Sequence, residues 1–128
     1  MTKERDKGAR VYDLEERLIE FSIRLLDLVE ALPRSRVGNH IAGQLVRCGT
    51  SPPANYGEAQ SAESRSDFIH KMKVILKELR EVRVWLVLIQ RKSLIKPAEN
   101  VASILAECSE LIAIFVTSVG TAEWKKFT

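Results

Sequence analysis

The sequence predicts an all-α protein, an antiparallel up-and-down bundle of four helices. The chain has only six glycines and four prolines in 128 residues, too few for the many turns of a sheet architecture. Abundant Leu, Ile, Ala, Glu, Lys and Arg favour helices. Apolar residues also recur every three or four positions along four segments. Four amphipathic helices with short connections pack most simply as a bundle.

The length and composition predict a single domain. A chain of 128 residues with 45% hydrophobic content can bury one modest core but is too short to divide into two. We expect a flexible leader at 1–10, the bundle at 11–120 and a C-terminal tail at 121–128, where Trp124 or Phe127 can dock on a neighbour.

The first helix is expected to begin at Asp13, which forms a capping box with Glu16. Pro33 cannot continue a helix and is expected to end it. The apolar stripe of this helix consists of Leu14, Leu18, Phe21, Leu25, Leu28 and Val29.

The second helix carries two adjacent prolines inside its apolar stripe. Pro52 and Pro53 remove the amides that would bond to the carbonyls of Cys48 and Gly49. Either the helix bends while continuing, or it restarts with Ser51 as N-cap, and both alternatives predict a proline kink at residues 49–53. Relief is expected from the flexibility of Gly49 and from hydroxyls that can bond the freed carbonyls, those of Thr50 and Ser51. The helix is expected to begin near Ser35, with a stripe of Val37, Ile41, Leu45, Cys48, Pro52, Tyr56 and Ala59.

The third helix follows a polar turn at 57–66 and is capped by Ser64 and Asp67. It is expected to end near residues 90–93, and Pro97 then suits the first position of the fourth helix. The third stripe is Phe68, Met72, Ile75, Leu76, Leu79, Val82, Leu86 and Ile89. The fourth is Val101, Ile104, Leu105, Cys108, Leu111, Ile112, Phe115 and Val116, with Gly120 near the end.

Two helices are more apolar than a solitary bundle requires. The run VRVWLVLI at 82–89 is apolar at every position but Arg83, and ELIAIFVTSV fills 110–119. A four-helix monomer needs one buried stripe per helix, so wider apolar coverage predicts burial against other subunits.

Residues 44–86 carry a specific pattern around the prolines. The pattern begins with Gln44, Leu45 and Arg47 on the second helix. It ends with Phe68, Leu76 and Leu79 on the third helix. The central motif residues, with an expected structural role, are Ser51, Pro53, Ala54, Asn55 and Glu58.

This pattern resembles the family of bacterial four-helix-bundle proteins named after reading frames inside intervening sequences of 23S ribosomal RNA genes. The chain departs from the family pattern at four positions, namely Pro52, Tyr56, Gly57 and Ala59. The family is similar in fold to the accessory protein of diversity-generating retroelements, a basic pentameric barrel that binds nucleic acid and a reverse transcriptase. The resemblance implies a homopentamer with no established catalytic activity.

A basic stripe on the third helix is the candidate binding site. Residues at steps of three and four lie on one helix face, opposite the apolar stripe. Repeated around a ring, their charges would neutralise phosphates of RNA or DNA with little sequence preference. The alternative is an ordinary solvated face in which Glu78 and Glu81 pair with neighbours such as Lys77. The candidate nucleic-acid-binding residues are Arg47, His70, Lys73, Lys77 and Arg80.

Other chemistry is not indicated by the sequence. Asn55 and Glu58 are expected to satisfy backbone near the kink or to contact Arg47 rather than to catalyse. His40 and His70 have no partners at metal-ligand spacing, and no phosphate loop or nucleophile motif is present, so we expect no cofactor, metal or enzymatic activity.

The surroundings of the protein are predicted from the same sequence. No uninterrupted apolar run approaches the ~18 residues of a membrane span, and the charged start lacks a signal core, so we expect a cytoplasmic protein without a membrane partner. Cys48 and Cys108 are expected to be free, buried thiols. We therefore predict a non-enzymatic oligomer associated with nucleic acid, or alternatively a structural adaptor that binds a protein partner.

Overall fold

The protein consists of four helices in a computed structural model, which describes the backbone of residues 3–126 and the side chains of residues 14–124. The helices are α1 (Lys3–Glu30), α2 (Arg36–Gln60), α3 (Arg65–Lys92) and α4 (Ala98–Lys126). The described residues contain no strand. The all-α fold class is therefore confirmed.

Each helix packs on its neighbours in chain order, and α4 closes the bundle against α1. Within the described residues no Cα atoms of α1 and α3, or of α2 and α4, approach within 8 Å, so these pairs lie across the bundle. They meet only through core side chains, as where the rings of Tyr56 and Phe115 pack edge to face. Contacts between α2 and α3 pair an early residue of one helix with a late residue of the other, as in His40 with Trp85 and Glu58 with Lys71. This is the order that antiparallel neighbours produce.

The core consists of the predicted stripes with local corrections. Large side chains below 2% exposure come from all four helices, among them Phe21, Leu45, Leu86 and Phe115. Two predicted core residues are exposed, Val37 at 50% and Val116 at 43%, and five are only partly buried, namely Leu14, Val29, Phe68, Leu105 and Ile112. Each lies at the edge of its stripe, where a small rotation of the helix decides burial.

The ends of α1 and α4 differ from the sequence prediction. Helix α1 begins at Lys3 rather than at Asp13, whose side chain lies outside the described residues. The division into a flexible leader, bundle and tail stays a prediction. Helix α4 continues to Lys126, which includes most of the predicted tail; Phe127 lies outside the described residues. Most residues of both segments are good helix formers, so each helix extends beyond the stripe that packs in the core.

Two predicted helix starts are confirmed by cap geometry. Ser35 caps α2 by accepting a hydrogen bond from the Gly38 amide at 3.1 Å, and Ser64 accepts one from Asp67 at 3.1 Å. A side chain at Gly38 would meet the carbonyl oxygen of Pro33 at 1.9 Å, so the entry into α2 requires glycine. The turn into α3 is shorter than predicted because α2 continues to Gln60.

Helix α4 is long and apolar enough, by length and composition alone, to cross a membrane between Ala98 and Trp124. It qualifies by mean hydropathy, although no uninterrupted apolar run within it approaches that length. In the structure its Leu111 and Phe115 are fully buried in the bundle core. Core helices pass the same compositional test, and this burial explains the apolar character of one face of α4.

Candidate nucleic-acid interface

The predicted basic stripe lies on the outer face of α3. Met72, Ile75 and Leu79 form the buried face of the same helix segment. The four stripe residues are all exposed: His70, Lys73, Lys77 and Arg80. The helical period thus places a row of basic side chains in solvent, where phosphates can reach them.

The stripe residues differ in whether a carboxylate already neutralises them. Lys73 Nζ lies 3.6 Å from Glu123 Oε2 of α4, with both side chains about half exposed. Within the described side chains, Lys77 and Arg80 make no ion pair or hydrogen bond, and neither does His70. No described carboxylate therefore competes with an external anion for Lys77 or Arg80.

Arg47 is engaged by carboxylates instead. Its guanidinium forms an ion pair and hydrogen bond with Glu81 and lies 3.6 Å from Glu78 Oε2. The latter distance exceeds hydrogen-bond length, so the Glu78 contact is coulombic and that oxygen has no hydrogen bond. The expected pairing of these glutamates with Lys77 does not occur, because both face α2 rather than the stripe. Arg47 consequently ties α2 to α3.

The double proline lies inside a continuous helix. Helix α2 runs through Pro52 and Pro53 without interruption, so the alternative in which the helix restarts at Ser51 is wrong. The bend of the helix axis at 49–53 stays a prediction. Continuity leaves the carbonyls of Cys48 and Gly49 without their usual amide donors.

A residue of α1 supplies the missing donor for one of these carbonyls. Ser22, a buried polar residue, donates its hydroxyl to the Gly49 carbonyl at 2.6 Å. The expected donors act otherwise: Thr50 Oγ1 donates to the Val46 carbonyl, and the Ser51 hydroxyl oxygen is buried without a hydrogen-bond partner in the described residues. The sequence pattern does not identify Ser22 as the donor to the Gly49 carbonyl, because the two residues lie 27 positions apart.

Gly49 brings α1 and α2 close together at this point. A β-carbon at Gly49 would lie 2.8 Å from Leu25 Cδ1, closer than atoms tolerate. The same approach brings Ser22 within hydrogen-bond distance of the Gly49 carbonyl. Glu58 of the family motif does not contact Arg47 as expected but pairs with Lys71 at 3.2 Å, and its side chain is 59% exposed. Glu58 therefore links α2 to α3, and a structural role for the other motif residues stays a prediction.

The two cysteines are free and buried, as predicted. Burial raises the pKa of the Cys48 thiol to about 12, and burial likewise raises that of Cys108 to about 12. Cys108 Sγ also donates to the Leu79 carbonyl at 3.4 Å. Both thiols are protonated at neutral pH and behave as core residues.

An ion-pair cluster between α1 and α4 was not predicted. Arg17 donates to both carboxylate oxygens of Glu107, at 2.7 and 3.2 Å, and approaches Glu110 at 3.4 Å. The hydrogen bond from Arg17 lowers the pKa of Glu107. The 90 residues that separate Arg17 from Glu107 hide the pair from sequence patterns. Its effect is to fix the closing contact of the bundle.

The fold and its motif place the chain in a class of small all-α proteins that fold as a four-helix bundle. The family model described as 23S rRNA-intervening sequence protein matches residues 12–117. The chain belongs to this family, which confirms the resemblance found in its sequence.

A solved structure supports the same assignment. It is the 1.70 Å crystal structure of a protein of unknown function from the S23 ribosomal protein family of Bacteroides thetaiotaomicron VPI-5482. The two chains are 32% identical with a TM-score of 0.76, over 83% of this chain and 97% of that one. No curated protein matches the chain.

Proposed function

We propose that the protein is a non-enzymatic, cytoplasmic homo-oligomer that associates with the phosphate backbone of RNA or DNA. Lys77 and Arg80 carry this proposal, because they are exposed on one helix face and have no carboxylate partner among the described side chains. Counterion release drives such binding and gives it little sequence preference. No aromatic side chain interleaves with the stripe, so base stacking is not part of the proposal.

The five candidate residues have unequal roles in this proposal. Lys77, Arg80 and His70 contact phosphate directly, and Lys73 joins them when it leaves Glu123. Arg47 acts mainly by holding α2 against α3, since Glu78 and Glu81 already neutralise it.

The oligomer is proposed from exposed apolar surface. Large side chains between 36% and 71% exposed occur on all four helices. Contiguous apolar surface marks contacts with another protein, and Ile19, Ile23 and Leu26 follow one another at steps of four and three along α1. The resemblance to a pentameric accessory protein supports five subunits, and a ring would align the basic faces of its copies.

Binding is tested by a salt titration of fluorescently labelled single-stranded and duplex RNA and DNA of mixed sequence. In a double charge reversal, Lys77→Glu with Arg80→Glu, we expect weaker binding and a shallower dependence of log affinity on log salt, since each lost phosphate contact reduces the slope by about 0.7–0.9.

A matched control reverses two exposed charges in loops, Arg34→Glu with Lys96→Glu. This double variant has the same net charge but an intact stripe, so its affinity should stay closer to that of the wild type. Equal losses in the two variants would show that only net charge matters, and no loss in the stripe variant would refute the proposed face.

The second candidate function is a structural adaptor. It is favoured by an apolar groove between α2 and α3 that is open to solvent, where Val37 and Leu88 are about half exposed. Purification from the native host with and without nuclease separates the two functions. A partner protein retained after nuclease treatment, together with no nucleic-acid affinity, would favour the adaptor.

A further inference from the structure

Helix α1 presents an apolar stripe to solvent. Ile19, Ile23 and Leu26 follow one another at steps of four and three and are 36%, 46% and 40% exposed. The core-facing residues of α1, such as Leu18 and Leu25, are a separate set. We call these three exposed residues the α1 stripe.

Acidic residues border the α1 stripe. Glu16, Glu20, Asp27 and Glu30 are all exposed. Within the described side chains none of them makes an ion pair or hydrogen bond, although other glutamates of this chain do. The outer face of α1 is thus apolar along its centre and negatively charged at its border.

A groove with the opposite charge lies elsewhere on the subunit. It has a volume of about 540 Å³ and lies between the beginning of α2 and the end of α3. Its apolar surface includes Val37, Trp85 and Leu88, and its basic or imidazole-bearing residues are Arg36, His40 and Lys92. The exposed cations Arg36 and Lys92 have no carboxylate partner among the described side chains. We call this surface the α2–α3 groove.

The two surfaces match in polarity but cannot meet within one chain. Helix α1 and helix α3 lie across the bundle from each other, with no Cα atoms within 8 Å in the described residues, and the α1 stripe and the groove are both on outer surfaces. The α1 stripe offers aliphatic side chains beside carboxylates, and the α2–α3 groove offers aliphatic and aromatic surface beside cations. A contact between subunits would bury both apolar surfaces and pair both sets of charges.

We propose that the α1 stripe of one copy of this chain docks in the α2–α3 groove of the next copy. The inference rests on the proposed homo-oligomer and identifies its contact. Because the two faces differ, the interface is heterologous, and repeating it generates a ring when the rotation closes. The residues Lys77 and Arg80 belong to neither face, so the candidate nucleic-acid surface stays outside the contact.

The test measures molar mass by light scattering after size exclusion. One variant, Ile23→Ser with Asp27→Lys, disables the α1 stripe; the other, Leu88→Ser with Lys92→Glu, disables the groove. Each variant alone should lose the wild-type oligomer, because a ring needs both faces on every copy. The matched control is Val116→Ser with Glu63→Lys, which changes a valine 43% exposed and an exposed acidic residue outside both faces. This control should keep the wild-type mass.

Mixing the two defective variants gives the sharpest outcome. Each retains the face that the other lacks, so the mixture should form a one-to-one heterodimer of two 14.5 kDa chains and no larger ring. Circular dichroism should show unchanged helix content in all variants, since the altered side chains are exposed. Tagging one variant allows the heterodimer to be isolated and its composition measured.

Three results would overturn the inference: a monomeric wild type, a wild-type oligomer that survives both double variants, or a mixture that stays unassociated. The nucleic-acid proposal fails separately. The Lys77→Glu, Arg80→Glu variant should keep the wild-type mass, so its affinity reports on phosphate contact while the interface variants report on assembly.

Discussion

The hydrogen bond from Ser22 to Gly49 should make a measurable contribution to the stability of the fold. In Ser22→Ala the Gly49 carbonyl loses the hydroxyl donor, and Pro53 cannot supply an amide in its place. Leaving a buried acceptor unsatisfied costs about 1–3 kcal/mol. For a chain of this size that corresponds to a fall in Tm of roughly 4 °C for each kcal/mol.

A double-mutant cycle isolates this contribution. In Pro53→Ala an amide becomes available to donate to the Gly49 carbonyl along the helix, so the Ser22 hydroxyl is no longer the sole donor. We therefore expect Ser22→Ala to cost less in the Pro53→Ala background than in the wild type, with a coupling energy of about 1 kcal/mol. The cycle subtracts the separate effect of proline on the unfolded chain.

The assay is urea unfolding followed by circular dichroism, with all four proteins at one concentration because association shifts apparent stability. Ser109→Ala, at an exposed position of α4, is the matched control and should change the free energy of unfolding by less than about 0.5 kcal/mol. A cost for Ser22→Ala as small as that of the control, or a coupling energy near zero, would refute the assignment of Ser22 as the replacement donor.

Three further predictions follow from packing and ionisation. Gly49→Ala should lower the free energy of unfolding by about 1–3 kcal/mol, because the new Cβ would lie 2.8 Å from Leu25 Cδ1. The control Gly43→Ala places a Cβ with no atom within 4 Å and should be neutral or stabilising in the same unfolding assay. Equal effects of the two variants would contradict the close approach at Gly49. Cys48 and Cys108 should react slowly with a thiol reagent at pH 8 in the folded protein and rapidly in urea, because burial raises the pKa of both thiols to about 12. Rapid labelling without denaturant would contradict their burial. Arg17 lowers the folded-state pKa of Glu107 below the ordinary value of 4.5, so this pair stabilises the fold above that value and loses its effect as pH falls through the folded pKa. The stability difference between wild type and Glu107→Gln, measured from pH 7 down to pH 3, should therefore shrink, and a constant difference would show that the lost contact is not electrostatic.

The caps and the apolar periodicity were predictable because they depend on residues three or four positions apart. Ser35 and Ser64 cap their helices as their local sequences indicate. The start of α1 was not predictable in this way, because residues 3–10 carry no apolar stripe although most of them are good helix formers. Local patterns thus located the packed part of each helix better than its ends.

The candidate site was predicted only in part. Helical spacing placed His70, Lys77 and Arg80 together in solvent, but the spacing of residues on one helix could not reveal which carboxylates lie opposite. Arg47 pairs with glutamates 31 and 34 residues away, and Lys73 lies near a glutamate 50 residues away. Charge pairing across helices depends on their relative rotation, which a single helical pattern does not specify.

By itself the sequence determined the number of helices, the buried stripe of each and the family, because these follow from periodicity, capping and a motif read along the chain. Only the tertiary structure decided how the double proline is tolerated, through a serine on another helix, and which charges remain unpaired. Both depend on distances between segments far apart in sequence, and those distances arise when the four stripes pack into one core.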